Sequence, residues 1–314
     1  MLLMDVLSDI LATLRLHSCL YFRAELSAPF SIAVPEDRDV IRFHMVAKGP
    51  CWVGLPTGES VGCREGDLVL IPHGAAHVLA DRPEGNDPVP LLHVLDVTHF
   101  DGAGPLIYGG SGMGSAIVCG YFSFQHEITH PVIATLPRLL HVSTDRGGHF
   151  SWVERLLAYL HAETSAGGIG SQEIAQRLAE ILFICVLREY ACQSPHTSGA
   201  LAALADSHLG NALRTIHADP AAKWSLDKLS ARAAMSRTVF AERFRKLMGV
   251  TPARYVTLWR MHKARLLLEQ SDQSIASVAT SVGYESESTF TRAFKGYFGA
   301  PPGQYRRDSN ATGP

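Results

Sequence analysis

The last hundred residues contain an internal repeat with an offset of 50 positions. Two phenylalanines, a glycine, a proline and a tyrosine recur with the spacings +4, +5, +3 and +3. The first copy consists of Phe240, Phe244, Gly249, Pro252 and Tyr255, and the second consists of Phe290, Phe294, Gly299, Pro302 and Tyr305. Self-similarity at a fixed period indicates repeated supersecondary units. The repeat therefore predicts two related helical modules at the C-terminal end of the chain.

Each copy predicts a short helix, a turn and a second helix. Ser236 is a predicted N-cap for a helix over 237–248, and Ser286 is the equivalent cap for 287–298. In both second helices the phenylalanines form the buried face, and a glycine follows the last turn, as is typical of helix C-termini. A long helix over 252–269 would join the copies. This arrangement is the helix-turn-helix geometry, whose second helix fits a DNA major groove.

The charge of the chain is divided unequally. Residues 207–314 hold 16 Lys and Arg against 8 Asp and Glu, a net charge of +8, whereas residues 1–206 hold 12 against 22, a net charge of −10. The whole chain carries −2. A basic region of this kind favours a polyanionic partner. A helical bundle with basic faces would explain the phenylalanines, but not the combination of two helix-turn-helix units with this charge.

Composition narrows the setting in which the protein works. No apolar run approaches the roughly 20 residues of a membrane-spanning helix, so we expect no membrane partner. The six cysteines form no CxxC pair, and we expect reduced thiols and a cytoplasmic location.

The second copy also carries a long motif. It reads Ile275-x2-Val278-Ala279-x3-Gly283-Tyr284-x5-Phe290-x-Arg292-x-Phe294-Lys295-x3-Gly299-x2-Pro302-x2-Tyr305-Arg306. On these residues the C-terminal part resembles the DNA-binding domain of the AraC/XylS family of bacterial transcription regulators. The resemblance implies a seven-helix domain that binds asymmetric, double-stranded promoter sites in successive major grooves.

The resemblance also implies roles for individual residues. The positions that would face the bases are Thr238, Ala241 and Glu242 in the first module and Glu287, Ser288, Thr291 and Arg292 in the second. The positions that would contact phosphates are Arg237, Arg245 and Lys295. Ala241 cannot hydrogen-bond a base and could only touch a thymine methyl group, whereas Glu242 could accept from a cytosine or pair with a neighbouring arginine.

The N-terminal part has a different pattern. Short apolar runs alternate with turn residues between about 20 and 125, which predicts a small β-barrel or sandwich. The expected strands include 43–46, 51–55, 67–71, 91–97 and 116–124. A short amphipathic helix over 3–14 precedes them.

Residues 66–77 have the form G-x5-P-x-G-x2-H and resemble the second sequence motif of the cupin barrels. The first cupin motif would supply two histidines and a glutamate, but only His44 is present, and no glutamate stands at the right distance. Either His44 and His77 form a closed zinc site with Cys119, or with Cys51 or His93, or they are hydrogen-bonded pocket residues beside a buried Cys119 thiol. We favour the second alternative. The residues expected to line an effector pocket are Phe43, His44, Trp52, His77 and Tyr121, because they lie on presumed inward-facing strands.

The region between the two parts is predicted to be helical, with segments over 150–163 and 171–192. This pair either packs against its own barrel or forms a homodimer interface. We favour dimerisation, although the apolar stripe is short for a coiled coil.

Together these features predict an α+β multidomain chain. Its expected parts are a cupin-like sensor barrel over 1–145 with flanking helices, a helical pair over 146–193, a flexible linker over 194–206 and a double helix-turn-helix domain over 207–309. The expected function is sequence-specific transcription regulation that responds to a small-molecule effector and acts on RNA polymerase. One alternative is a metal-dependent cupin enzyme fused to a DNA-binding domain, and another is a regulator whose barrel only dimerises. We expect no enzyme, because no arrangement of nucleophile and base has a spacing that requires catalysis.

Overall fold

The chain divides into two units in a computed structural model. The barrel unit consists of Arg15–Thr129 and Leu136–Tyr190, and the helical unit consists of Met1–Leu14, His130–Thr135 and Ala191–Pro314. The structure describes residues 5–14, 16–38, 40–83, 87–102, 104–124, 130–143, 155–156, 158–160, 162–163, 168–192 and 199–311.

Two sheets form the barrel unit. Its strands are β1 (Leu16–Ser27), β2 (Ser31–Val34), β3 (Val40–Lys48), β4 (Cys51–Gly54), β5 (Ser60–Cys63), β6 (Leu68–Ile71), β7 (His77–Ala80), β8 (Val89–Pro90), β9 (Leu106–Gly109), β10 (Gly114–Phe124) and β11 (Leu140–Val142). One sheet has the order β11-β6-β3-β10-β1-β9, and the other has the order β5-β4-β7-β2-β8. Apolar side chains of both sheets, such as Ile32, Val53 and Ile117, belong to one buried cluster. The predicted cupin-like β fold is confirmed.

The segment that resembles the cupin motif is held by a glycine. All four residues of β6 are buried, and the chain then turns at Gly74, which has φ +57°. A Cβ atom at this position would lie 1.6 Å from the carbonyl oxygen of Asp37, so only glycine permits the close approach of the two chain segments. The turn leads into β7, where His77 pairs with Val34 of β2.

The expected strand over 91–97 is wrong, because this segment forms helix α2 (Leu91–Val97). Leu91, Val94 and Leu95 have the i, i+3, i+4 spacing of one helix face. Val94 is fully buried, and Leu91 and Leu95 pack against the barrel cluster. A short apolar run does not distinguish a strand from a buried helix by itself.

One helix of the predicted helical pair packs on the barrel. Helix α4 (Ser171–Cys192) buries Phe183, whose ring centroid lies 4.7 Å from that of Phe122 in β10. On the same helix Ile174, Ile181 and Ile184 are between 41% and 47% exposed. The residues described between 155 and 163 are helical, and most of the rest of the earlier predicted helix lies outside the described residues.

The helical unit draws on three parts of the chain. It contains α1 (Val6–Leu14), α3 (Pro131–Ala134), α5 (Gly199–Ala205), α6 (Ser207–Ala218), α7 (Leu226–Arg232), α8 (Arg237–Met248), α9 (Pro252–Gln270), α10 (Ile275–Ser281), α11 (Glu287–Phe298) and α12 (Pro302–Ala311). Helices α6 to α12 match the expected seven-helix domain. The predicted domain boundaries differ from these units, because α1 and α3 belong with the C-terminal helices.

The predicted flexible linker over 194–206 also needs correction in its described part. Residues 199–205 form α5, which buries Ala200, Leu201 and Ala203. Alanine and leucine are strong helix formers, and burial of this face adds to that preference. Residues 194–198 of the expected linker lie outside the described residues.

Hydroxyl side chains begin the helices of the repeat. Ser225, Ser236, Thr251, Ser274 and Ser286 each accept a hydrogen bond from the backbone N–H three residues later. These caps satisfy N–H groups that have no partner inside their helix. Because the capping residues recur in both copies, the two helix-turn-helix units begin and end at equivalent positions.

Candidate functional site

The two repeat modules present equivalent helices, α8 and α11. Their buried faces carry Phe240 and Phe244 in α8 and Phe290 and Phe294 in α11, each with no exposed surface. The ring centroids lie 5.5 Å apart in the first pair and 5.6 Å apart in the second. The same packing therefore fixes the rotation of both helices about their axes.

The opposite faces of α8 and α11 contain the residues predicted to contact DNA. Eight of the ten are exposed and two are half-buried. The exposed ones are Arg237, Thr238, Glu242, Arg245, Glu287, Ser288, Arg292 and Lys295, and the half-buried ones are Ala241 and Thr291. Each module thus brings its predicted contact residues together on one accessible helix face.

Carboxylates engage some of the basic groups of α8. The Nε atom of Arg237 lies 3.0 Å from Oδ1 of Asp227, and Arg243 pairs with Asp206. Arg237 and Asp227 are each 64% exposed, so their pair contributes little stability and separates readily. Among the described residues no ion pair includes Arg245 or Arg292.

Arg260 of α9 joins the turn of the second module to the segment that precedes the first module. Its Nε donates to the carbonyl of Pro220 at 2.8 Å and its Nη2 to that of Ala222 at 3.0 Å, both in the segment before the first module. Its Nη1 donates to the carbonyl of Gly283 at 3.3 Å, in the turn of the second module. A Cβ atom on Gly283, which has φ +85°, would lie 2.6 Å from the carbonyl oxygen of Ala221. Sequence reasoning missed Arg260, because no motif separates it from the other arginines.

The N-terminal helix α1 contributes a second unpredicted network to the helical unit. Nδ1 of His217 donates to Oδ2 of Asp9 at 2.9 Å, and its Nε2 accepts from the hydroxyl of Tyr255 at 2.8 Å. The imidazole stacks on Trp259 with ring centroids 3.9 Å apart. Lys263 Nζ lies 3.3 Å from Oδ1 of Asp9. These contacts tie α1 to α6 and α9.

Charges and burial shift the pKa values of His217 and Asp9 in opposite directions. Burial lowers the pKa of His217 below its ordinary value, and the hydrogen bond that His217 donates to Asp9 only partly offsets this lowering. Burial alone would raise the pKa of Asp9, but His217 and Lys263 outweigh it and lower that pKa. The imidazole is therefore neutral and donates through Nδ1 to an ionised carboxylate.

In the barrel unit, the two cupin-motif histidines form a hydrogen-bonded chain. His44 Nε2 lies 2.8 Å from His77 Nε2, and His44 Nδ1 lies 3.2 Å from Cys119 Sγ. His77 Nδ1 donates to the carbonyl of Ala75 at 2.8 Å. This bond places the proton of His77 on Nδ1, so His77 Nε2 accepts from His44, and His44 Nδ1 accepts from the Cys119 thiol.

Burial keeps this chain neutral. It lowers the pKa of His44 well below its ordinary value and that of His77 to about 4. It also raises the pKa of Cys119 to about 12. The neutral forms are those that the hydrogen bonds require.

A metal does not fit these three side chains. Cys119 and His77 contact opposite nitrogens of the His44 ring, and one ion cannot reach both nitrogens of a single imidazole. No group of three or more potential ligands forms a metal site among the described residues. The arrangement suits hydrogen-bonded pocket residues rather than the alternative zinc site.

A cavity of about 230 Å³ opens inside the barrel. It is lined by Ala24, Leu26, Ile32, Val34, Pro35, Arg42, His44, Leu79, Leu91, Leu92, Leu95, Leu106, Cys119 and Gly120. Of the residues predicted to line an effector pocket, only His44 belongs to this wall.

The other four predicted pocket residues lie elsewhere. Phe43 points to the opposite face of β3 and packs on Phe122 with ring centroids 4.9 Å apart. The ring of Trp52 covers Gly62 of β5. His77 contacts the cavity wall through His44, and Tyr121 is half-buried outside the lining. Their prediction as lining residues of this cavity is wrong. For Phe43 the reason is that successive side chains of a strand face opposite sides, and its neighbour His44 faces the cavity.

These features define a class of protein: a cupin-type barrel joined to a domain with two helix-turn-helix modules. The Cupin family profile matches residues 5–192, and a Helix-turn-helix domain profile matches residues 229–308. A protein of Streptomyces lividans named as an AraC-like transcription regulator is 34% identical over 307 residues, which cover 97% of this chain and 98% of that protein. The chain belongs to the family of AraC-like transcription regulators with an N-terminal cupin domain.

A second relative agrees with this membership. An AraC-like transcription regulator of Streptomyces antibioticus is 31% identical over 314 residues, covering 97% of this chain and 99% of that protein. The crystal structure of the DNA-binding domain of the global transcriptional factor AdpA in complex with a target DNA is 31% identical. The match covers 34% of this chain and 96% of the AdpA domain, with a TM-score of 0.33.

Among the helices of the described residues, none has the length and hydrophobicity of a transmembrane segment.

Proposed function

We propose that α8 and α11 bind two successive major grooves of double-stranded promoter DNA, with their centres about 34 Å apart along the duplex. The observation that carries this proposal is the equivalent exposure of the predicted contact residues on two helices fixed by the same phenylalanine packing. The net charge of +8 over residues 207–314 supplies sequence-independent attraction to phosphates.

The side chains divide by chemistry into two roles. Arg292 carries five donors and suits a bidentate contact with a guanine edge, whereas Glu242 suits a cytosine amino group. Lys295 and Arg245 lie one helical turn further on and suit phosphate contacts. Arg237 takes the same role after exchanging Asp227 for a phosphate oxygen. Thr238, Ala241, Glu287, Ser288 and Thr291 complete the base-facing set.

The test begins with the DNA that the full-length protein retains from fragmented genomic DNA. On the retained site, Arg292→Ala should weaken binding by about tenfold to a hundredfold and relax the preference at one base pair. Lys295→Ala should weaken binding to all sequences and lower the slope of log affinity against log salt by about one. Arg138→Ala, an exposed arginine of the barrel unit, is the control for loss of one charge. Unchanged affinity and base preference in Arg292→Ala would refute the assignment of α11.

The barrel is proposed to hold a small-molecule effector that changes how the two modules bind DNA. The supporting observation is the apolar cavity between the strands. Such coupling is reciprocal, so an effector that changes operator affinity must bind differently when the operator is present. Titrating the effector with and without operator DNA tests this. A regulator whose barrel only dimerises would give the same effector isotherm in both titrations, or none.

Helix α4 is proposed to form a homodimer interface. Ile174, Ile181 and Ile184 recur at +7 and +3 on its exposed side, a spacing that places them on one helix face. Replacing Ile181 by Glu should turn the dimer into a monomer in analytical ultracentrifugation. Ile107→Glu, at an isoleucine of β9 that is 66% exposed, is the matched control and should leave the dimer intact. A monomeric wild type would contradict the proposal.

The remaining parts of the proposed function follow from promoter binding. The protein acts in the cytoplasm, where it contacts RNA polymerase, and it regulates transcription without catalysing a reaction. A transcription assay with purified polymerase and the retained promoter measures the direction of regulation.

A further inference from the structure

The barrel cavity has an almost wholly apolar wall. Strands β1, β2, β7 and β9 supply aliphatic side chains, and α2 supplies three leucines. Among the described residues of the wall, the side chains with a polar or ionisable group are Arg42, His44 and Cys119. The class of ligand that the cavity accepts therefore depends on whether these three side chains have such a group to offer.

The histidine end of the wall keeps its polar hydrogens within the protein. The Cys119 thiol donates to Nδ1 of His44 at 3.2 Å, and Nε2 of His44 donates to Nε2 of His77 at 2.8 Å. Nδ1 of His77 in turn donates to the carbonyl of Ala75 at 2.8 Å. Burial lowers the pKa values of both imidazoles, so neither is charged at neutral pH. Each polar hydrogen of this chain of side chains thus already has an acceptor.

The charged side chain of the wall is engaged as well. Arg42 forms an ion pair with Asp37, in which Nη2 lies 3.8 Å from Oδ2, and both residues have further interactions. Arg42 is only 7% exposed, so its charge is compensated mainly within the protein. A charged ligand would therefore lose its hydration in the cavity without gaining a partner of its own.

The volume of the cavity limits the size of its ligand. It is about 230 Å³, whereas an apolar cavity of ~150 Å³ is large enough to bind benzene. Sites for drug-sized ligands are larger, at ~300–1,000 Å³. The cavity therefore suits a molecule with one substituted ring or a short branched chain.

The cavity reaches solvent beside α2. Leu91, Leu92 and Leu95 all belong to its wall, and Leu92 is 72% exposed. Displacing poorly ordered water by an apolar group is favourable, and so is removing the apolar surface of the ligand from water. The lining thus supplies a driving force for an apolar ligand but no partner for a polar one.

We propose that the barrel binds a small, uncharged hydrocarbon, which apolar contacts alone hold among the aliphatic side chains of β1, β2, β9 and α2. This inference rests on the proposed effector-binding role of the barrel and names the chemical class of the effector. Suitable probes are p-xylene, 4-methylphenol, 4-methylbenzoate and 4-methylbenzylamine, because they share one methyl-substituted ring and differ in the polarity and charge of a single group.

Isothermal titration of the full-length protein without DNA tests the class directly. Wild type should bind p-xylene at least about tenfold more tightly than each polar probe, since each polar probe would bury a group that the wall leaves without a partner. Ala24→Phe places a larger side chain in the cavity and should weaken p-xylene binding at least about tenfold. Ala33→Phe is the matched control and should keep the wild-type affinity, because Ala33 lies on the other face of β2 from the lining residues Ile32 and Val34.

Several results would overturn the proposal. A polar probe that binds wild type as tightly as p-xylene would do so, and so would folded wild type that binds no p-xylene. Equal p-xylene affinities of Ala24→Phe and Ala33→Phe would also contradict it. The ranking of the probes on wild type decides even where Ala24→Phe does not fold.

Titration of operator DNA with and without p-xylene separates this inference from the proposed function. Binding of p-xylene without a change in operator affinity would leave the ligand class standing and refute effector control of DNA binding. Failure to bind promoter DNA in either state would refute the DNA-binding assignment alone.

Discussion

Replacing Arg260 by Met should weaken the helical unit by an amount that follows from its hydrogen bonds. The guanidinium donates to carbonyls of Pro220 and Ala222 at 2.8 and 3.0 Å and to Gly283 at the longer distance of 3.3 Å. Hydrogen bonds that involve a charged group contribute about 1.5–3 kcal/mol each. Because Arg260 is only half-buried, water hydrogen bonds would compensate for part of this contribution. We therefore expect the free energy of unfolding of the helical unit to fall by about 2–3 kcal/mol in total.

Urea denaturation measures this loss. With an m value of about 2 kcal/mol per molar urea, the midpoint for the helical unit should fall by about 1 M. Arg254→Met is the matched control, since Arg254 lies on the same helix and is exposed. Arg260→Met should also weaken binding to a full operator more than binding to either half-site, because the carbonyl contacts of Arg260 link the turn of the second module to the segment directly before the first module. A midpoint within about 0.2 M of wild type, or an equal shift in Arg254→Met, would refute the reasoning.

Two further predictions concern buried histidines. Asp9→Ala leaves the buried Nδ1–H of His217 without its acceptor, so the helical unit should lose about 1–3 kcal/mol of its free energy of unfolding. Urea unfolding followed by far-ultraviolet circular dichroism measures this loss, and a change below about 0.5 kcal/mol would contradict the role of α1. His77 has a folded pKa of about 4, below the ordinary value of 6.5, so the unfolded state binds the proton first as the pH falls. The resulting stability is complete above about pH 6.5 and declines by about 3 kcal/mol down to pH 4. Urea unfolding followed by near-ultraviolet circular dichroism should show this decline in wild type and less of it in His77→Gln, whereas equal pH dependence of the two proteins would contradict it.

Local signals explain why the bounds of α8 and α11 could be predicted so closely. Ser236 and Ser286 cap α8 and α11 at the expected positions, and Gly249 and Gly299 adopt the left-handed conformation that ends them. The residues that determine where each helix begins and ends lie at its two ends, within the 12 residues of the helix and their immediate neighbours.

Contacts between distant parts of the chain were not predictable in the same way. Asp9 and His217 are 208 positions apart, and neither residue belongs to a motif. The segment over 91–97 shows a related difficulty, because its apolar run fits a strand as well as a helix until tertiary packing decides.

The prediction of the residues that line the cavity failed for a simpler reason. Phe43 and His44 are neighbours on β3, so only one of them can face the interior between the sheets. The hydropathy of the segment does not show which, since both side chains are buried.

The path of the chain between the units has consequences for how the protein can be dissected. The backbone passes from one unit to the other at residues 14–15, 129–130, 135–136 and 190–191. Cleavage after residue 198 would therefore release a C-terminal fragment stripped of α1 and α3, with Asp9 missing from beside His217. Along the chain, one residue separates α1 in the helical unit from β1 in the barrel unit. The intact polypeptide, rather than its carboxyl-terminal piece, is the entity whose promoter affinity reflects regulation.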